Sequence, residues 1–177
     1  IFNKIYCNLV KYFKISDLPF SIEMHNYWND NGYLVIENFY TKKECDNLIN
    51  RSKFLIEEND FTDSKSIFDT LSQAHNDDSY FLDSGDKIRF FFEEKANIDK
   101  INKSNFENKK KFIVNKIGHA LHDLDEVFYK FSHKKELDDI AKSINIKIPL
   151  LLQSMYIFKQ PKIGGEVVCH QDSTFLY

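Results

Sequence analysis

Glycine and proline are scarce, at 5 and 3 residues in a chain of 177. That excludes a collagen-like or Pro/Gly-rich low-complexity chain. Only three cysteines occur, Cys7, Cys45 and Cys169. Being odd in number and far apart, they form neither a disulfide framework nor a zinc ribbon, which favours a reducing compartment. No stretch of eighteen apolar residues is present, so no helix is expected to span a membrane. Basic residues do not gather either. The run Lys109-Lys110-Lys111 is short, lies near Glu107, and belongs to a chain of net charge −3. A solvated loop is the expectation there, and nucleic acid is not an expected partner. Internal repeats are absent.

What is abundant is apolar and aromatic. Hydrophobic residues make up 42 % of the chain and charged residues 29 %, with 17 Phe and 9 Tyr. This is the composition of one globular domain able to bury a core. The chain begins at Ile1 and stops at Tyr177 just after an apolar stretch, and both ends are expected to be cuts. Residues 1–20 carry Ile5, Leu9, Val10 and Phe13 at roughly helical spacing and read as an N-terminal extension. Residues 21–177 read as the first part of a larger domain.

Within that domain, residues 22–31 form a short predicted helix stopped by Gly32, followed by a strand over Tyr33–Phe39. Thr41-Lys42-Lys43-Glu44 is a capping box, in which Thr41 and Glu44 satisfy each other's backbone N–H groups. Behind it Cys45, Leu48, Ile49, Leu55 and Ile56 fall on one helical face, predicted to cover a sheet. Residues 58–86 are polar and turn-rich. Strands are expected at Ile88–Phe92 and Phe112–Gly118, and helices at Asp123–Phe131 and Glu136–Ser143. The longest β candidate runs from Leu150 to Phe158 behind Pro149. A turn around Pro161, Gly164 and Gly165 then leads into a last strand, Glu166–Asp172. Helices early and strands late give an α+β chain, its helices backing a sheet.

The sharpest chemical feature is His170-Gln171-Asp172. On a strand, side chains two apart share a face with their Cα atoms ~6.6 Å apart. A His nitrogen and an Asp oxygen can then converge on one metal, with Gln171 pointing away. With a second His this makes the two-His-one-carboxylate facial triad, which leaves coordination positions open. His-x-Asp alone is a weak signal, however.

Longer blocks add specificity. Gln153-Ser154-Met155-Tyr156-Ile157-Phe158-Lys159-Gln160-Pro161, Gly164-Gly165-Glu166-Val167 and His170-Gln171-Asp172 resemble the phytanoyl-CoA dioxygenase family. So do Tyr33–Glu37, Ser84–Glu93 and Asn115–His122, in the same order along residues 26–177. The resemblance implies a double-stranded β-helix (jelly-roll, cupin-like) core with supporting helices. It implies an Fe(II)- and 2-oxoglutarate-dependent dioxygenase that hydroxylates a small molecule using O2, with ascorbate in support. His170 and Asp172 would bind Fe(II), while Lys116, Met155 and the backbone around Gln171 would line the 2-oxoglutarate pocket. A Lys suits that place, because a buried carboxylate needs a charge-assisted partner.

By the same resemblance a distal His ligand, an Arg for 2-oxoglutarate and further strands lie beyond Tyr177. The prime substrate stays open, a lipid or acyl-CoA among the candidates. An intracellular, cytoplasmic location is the default expectation. Two other readings use the same residues: a non-catalytic jelly-roll protein that binds metal or ligand, and a hydrolytic zinc or manganese site.

The remaining candidates have plainer explanations. Cys169, beside the metal His, is expected to be a small buried residue. His119 and His122 have the i, i+3 spacing of a helical metal pair, but packing or hydrogen bonding is the expectation. Alternation places Lys87 and Arg89 on one face with Phe91, and Asp86 with Ile88 and Phe90 on the other. A structural salt bridge or a substrate contact would both use that cluster. No role is assigned to His25, His75 or His133.

Overall fold

The computed structural model describes residues 10–61, 67–68, 79–96, 109–167 and 169–171. The described part of the N-terminal extension does not follow the roughly helical spacing of its apolar residues. Tyr12–Lys14 (β1) runs parallel to Val35–Glu37 (β2), and a 3₁₀ turn at Ile15–Asp17 follows β1. Its apolar residues are used in strand fashion, with Phe13 buried between exposed neighbours and packed edge-on against Tyr27.

The two early helices form where their end signals place them. Ile22–Asn31 (α1) is capped by Ser21, whose hydroxyl accepts the Met24 N–H at 3.2 Å. It ends at Gly32, at φ 74°, a left-handed conformation that costs glycine little. Lys42–Glu58 (α2) starts with the expected capping box, both reciprocal hydrogen bonds being made. Its buried face is Leu48, Ser52 and Ile56, whereas Cys45 and Ile49 are exposed. The predicted stripe was therefore too wide. At the far end Lys110, from the supposedly solvated lysine run, is buried instead. Its ammonium donates to the Glu57 carbonyl at 2.6 Å and the Asn59 carbonyl at 3.2 Å. A cation there satisfies carbonyls that the last helical turn leaves open.

The main sheet has four strands in chain order: Ile67–Phe68 (β3), Ile88–Glu93 (β4), Val114–His119 (β5) and Ser154–Ile157 (β6). β3 lies parallel to β4, while the β4–β5 and β5–β6 pairs are antiparallel. Several strand boundaries differ from the sequence reading, and the strand expected over Tyr33–Phe39 shortens to Val35–Glu37. Residues 109–113 are helical, so Phe112 and Ile113 precede β5 rather than open it. β6 begins only at Ser154. Leu150, Leu151 and Leu152 before it are irregular and exposed, because nothing among the described residues covers them. Residues 166–167 and 169–171 are irregular too, not the last predicted strand. The backbone entering that stretch is bonded to side chains and its own turn rather than to a neighbouring strand.

A register shift between Phe91 and Phe92 makes Asn115 the extra residue of β5, since Phe91 faces Lys116 and Phe92 faces Val114. One sheet face presents Phe90, Phe92 and Ile117 to Leu48 and Ile56 of α2, with Phe61 and Phe128 completing the core. This is the sheet-covering role expected of α2.

After β5 the chain makes three short helices, Leu121–Leu124 (α4), Glu126–Ser132 (α5) and Lys135–Ser143 (α6); Ser79–Leu82 is α3. The expected single helix from Asp123 is broken at Asp125. That carboxylate accepts the Val127 and Phe128 N–H groups at 3.0 and 3.2 Å and pairs with Arg51 Nε of α2 at 2.6 Å. One buried side chain thus caps α5 and ties it to α2. The architecture is mixed α+β, with no closed barrel among the described residues.

Candidate functional site

The opposite sheet face carries the polar chemistry. The β-pairing sets Arg89 and Phe91 of β4, Lys116 and Gly118 of β5, and Met155 and Ile157 of β6 side by side. Alternation placed Arg89 with Phe91 correctly. Met155 lies over Gly118, where an added Cβ would stand an ordinary 3.4 Å from Met155 Cγ. Its sulfur accepts from the Lys116 ammonium at 3.8 Å. The two residues assigned to cosubstrate binding are thereby brought together from strands 39 positions apart.

Lys116 is only 3 % exposed. Its Nζ lies 5.2 Å from the Phe81 ring centre and 5.0 Å from that of Phe91. Removal from water disfavours the charged form, and burial pushes the Lys116 ammonium down from 10.5 to about 8. An incoming carboxylate would favour the charged form of so deeply buried a lysine. The residues present therefore fit one end of an anionic cosubstrate.

His119 packs against the same Phe81 and Phe91 rings. Burial first, and the Lys116 charge second, push its imidazole down to about 4, so it is neutral at physiological pH. Its Nδ1 lies 2.7 Å from Ser84 Oγ, and the Ser84 hydroxyl proton goes to the Phe81 carbonyl. Ser84 must then accept from His119, which puts the imidazole proton on Nδ1. His122 has different partners: Ser154 Oγ at 2.9 Å from Nδ1 and the Leu151 carbonyl at 3.2 Å from Nε2. Being the last residue of β5 and a residue of α4, the two histidines do not share a helical face. Hydrogen bonding is their observed use, as expected.

The charged cluster before β4 separates. Lys87 pairs with Asp86 at 3.2 Å on the surface, the structural salt bridge anticipated. Arg89 donates to the Tyr80 carbonyl and stacks 4.5 Å from the Tyr80 ring centre.

Of the proposed metal arm, His170 and Gln171 are exposed on irregular backbone, and Asp172 lies outside the described residues. Cys169 is exposed rather than buried, since the irregular segment is not packed into a sheet. No group of three potential metal ligands is assembled among the described residues.

Sequence reasoning missed Glu93, the last residue of β4. It is 1 % exposed, and its Oε2 accepts the Gly165 N–H at 3.1 Å. Alternation from Arg89 and Phe91 was the available signal, but a terminal Glu reads as solvated. Asp125 was missed for the same reason.

Comparison with known proteins identifies the family. The family described as phytanoyl-CoA dioxygenase (PhyH) matches residues 28–177. A protein named phytanoyl-CoA dioxygenase in Arabidopsis thaliana is 44 % identical over 152 residues, covering 86 % of this chain and 52 % of its own length. Phytanoyl-CoA dioxygenase domain-containing protein 1 of Danio rerio is 43 % identical over 161 residues, covering 85 % and 52 %. The homologue of that protein in Dictyostelium discoideum is 45 % identical over 150 residues, with the same coverage. The chain spans about half the length of the relatives it matches. A family match over residues 28–177 and relatives more than 40 % identical over most of the chain give one conclusion: this chain belongs to the phytanoyl-CoA dioxygenase family.

Proposed function

We propose that the full protein is an Fe(II)- and 2-oxoglutarate-dependent dioxygenase, its sheet forming one side of a double-stranded β-helix. The observation that carries this reading is the Lys116–Met155 pair on the open sheet face. Lys116 binds a carboxylate of 2-oxoglutarate, and Met155 with the Phe81 and Phe91 rings keeps water from that salt link. Neutral His119 leaves the carboxylate to the ammonium and does not compete for it as a second cation. His170 and Asp172 supply an imidazole and a carboxylate to the metal, a donor set suited to Fe(II) with open positions. Gln171 contributes backbone to the cosubstrate pocket. When bound, Fe(II) with 2-oxoglutarate and O2 supplies the oxidising power that converts a substrate C–H to C–OH, and ascorbate keeps the iron reduced. The protein's part is placement and a dry cavity. The substrate is a small molecule, lipids and acyl-CoA included, and the enzyme acts inside the cell.

The full-length protein, supplied with Fe(II), ascorbate and 2-oxoglutarate, is expected to release succinate. Asp172→Ala should fall to the no-enzyme background. Equal turnover by the two proteins would remove Asp172 from the mechanism, and no 2-oxoglutarate-dependent turnover by wild type would remove the reading itself.

A further inference from the structure

The geometry points to Glu93 and Lys159 as positioning residues that clamp the peptide of Gly165 and so aim the segment carrying His170. The inference rests on the reading of His170 as a metal ligand. Both polar backbone groups of Gly165 are held by side chains: Glu93 Oε2 takes its N–H at 3.1 Å, and Lys159 Nζ donates to its carbonyl at 2.8 Å. The turn before it is equally constrained. The Gly164 N–H bonds to the Gln160 carbonyl at 2.9 Å, and a Cβ on Gly164 would stand 2.8 Å from that same oxygen. Gln160 is in turn fixed to the Lys111 carbonyl at 2.9 Å. The clamp therefore joins the turn after β6 to the end of β4.

Glu93 is a poor choice for stability alone. A buried carboxylate carries a desolvation cost that only good pairing offsets. Among the described residues Oε1 has no hydrogen-bond partner, and Oε2 has one backbone N–H. An apolar side chain at the end of β4 would pack without that penalty. What it could not do is hold the Gly165 peptide. The need for a hold follows from chain length. His170 is five residues past Gly165, which allows about 17 Å of reach. With residues 166–167 and 169–171 exposed and irregular, an unanchored Gly165 would spread the imidazole over a wide volume. Fixing Gly165 lowers the ordering cost that metal binding must meet.

The test is a Co(II) titration of the full-length protein, followed by visible absorption without 2-oxoglutarate, with thermal midpoints measured in chelator. Wild type, His170→Ala, Glu93→Ala, Glu93→Gln, Lys159→Met and Gly165→Ala are compared. Partners outside the ligand set typically change metal affinity ~10–100-fold. Glu93→Ala should bind at least about tenfold more weakly on that scale. Glu93→Gln keeps an acceptor for the Gly165 N–H and should recover most of the affinity. Lys159→Met, a surface change, should weaken binding without moving the midpoint in chelator. Gly165→Ala retains both backbone groups, and its Cβ would sit an ordinary 3.8 Å from Glu93 Oε2, so it should bind as wild type. If Glu93→Ala and Lys159→Met both bind Co(II) normally while His170→Ala does not, the clamp is wrong and the site stands. If His170→Ala binds normally, the metal reading itself is wrong. Should Glu93→Ala not fold, Lys159→Met decides: weakened binding supports the clamp and wild-type affinity overturns it.

Discussion

Replacing Lys116 by Met sets stability against binding, and the sign can be worked out. Burial lowers the ammonium from 10.5 to about 8. At ~1.4 kcal/mol per factor of ten, the desolvation penalty is about 3 kcal/mol at neutral pH. Below pH 8 both folded and unfolded chains hold the proton, so the folded state bears the whole penalty. Between about 8 and 10.5 the folded state has released the proton and the unfolded state has not, so stability rises with pH. Methionine carries no charge and fills a similar volume between Phe81, Phe91 and Met155. The Lys116→Met protein, free of metal and cosubstrate, should be about 1–3 kcal/mol more stable than wild type at pH 7, after loss of the cation–π contacts. For a chain of this size that is roughly 3–8 °C. Denaturant unfolding at pH 7 and pH 10 gives the decisive comparison, because packing changes do not depend on pH. The difference between variant and wild type should shrink by about 2–3 kcal/mol over that range. A difference that stays constant would refute the reasoning. So would a gap that widens with pH.

The same lysine gives 2-oxoglutarate affinity a pH dependence: binding to wild type should weaken above about pH 8 as the free protein's ammonium loses its proton. Calorimetric titrations between pH 7 and 9.5 check this, and a flat profile would contradict it. Asp125→Ala removes a helix cap and the buried partner of Arg51 together, and should cost about 3 kcal/mol by denaturant unfolding. Ser154→Ala deprives the His122 N–H and Nδ1 of their common partner, which should cost about 1–3 kcal/mol while leaving 2-oxoglutarate affinity unchanged.

Local signals carried part of the fold. The Thr41–Glu44 capping box and Gly32 marked helix ends because those signals act within one turn. The alternation of Ile88–Glu93 ordered the faces of β4 for a similar reason. Boundaries failed where the deciding partner was distant in the chain. Asp125 stops one helix and starts another partly by meeting Arg51, 74 residues away. Lys110 left its predicted solvent position for the end of α2. The leucines before β6 looked like strand because apolarity records a need for cover, not who provides it.

The candidate site divides in the same manner. Colinear blocks in the sequence were enough to name the family, because runs of matching residues in one order are specific; the metal and cosubstrate residues are proposed from that likeness. The sequence could not reveal that Lys116 is buried, that Met155 stands beside it, or that Glu93 grips the turn leading to His170. Desolvation and hydrogen bonding depend on which strands become neighbours. That was decided only when β4, β5 and β6 paired.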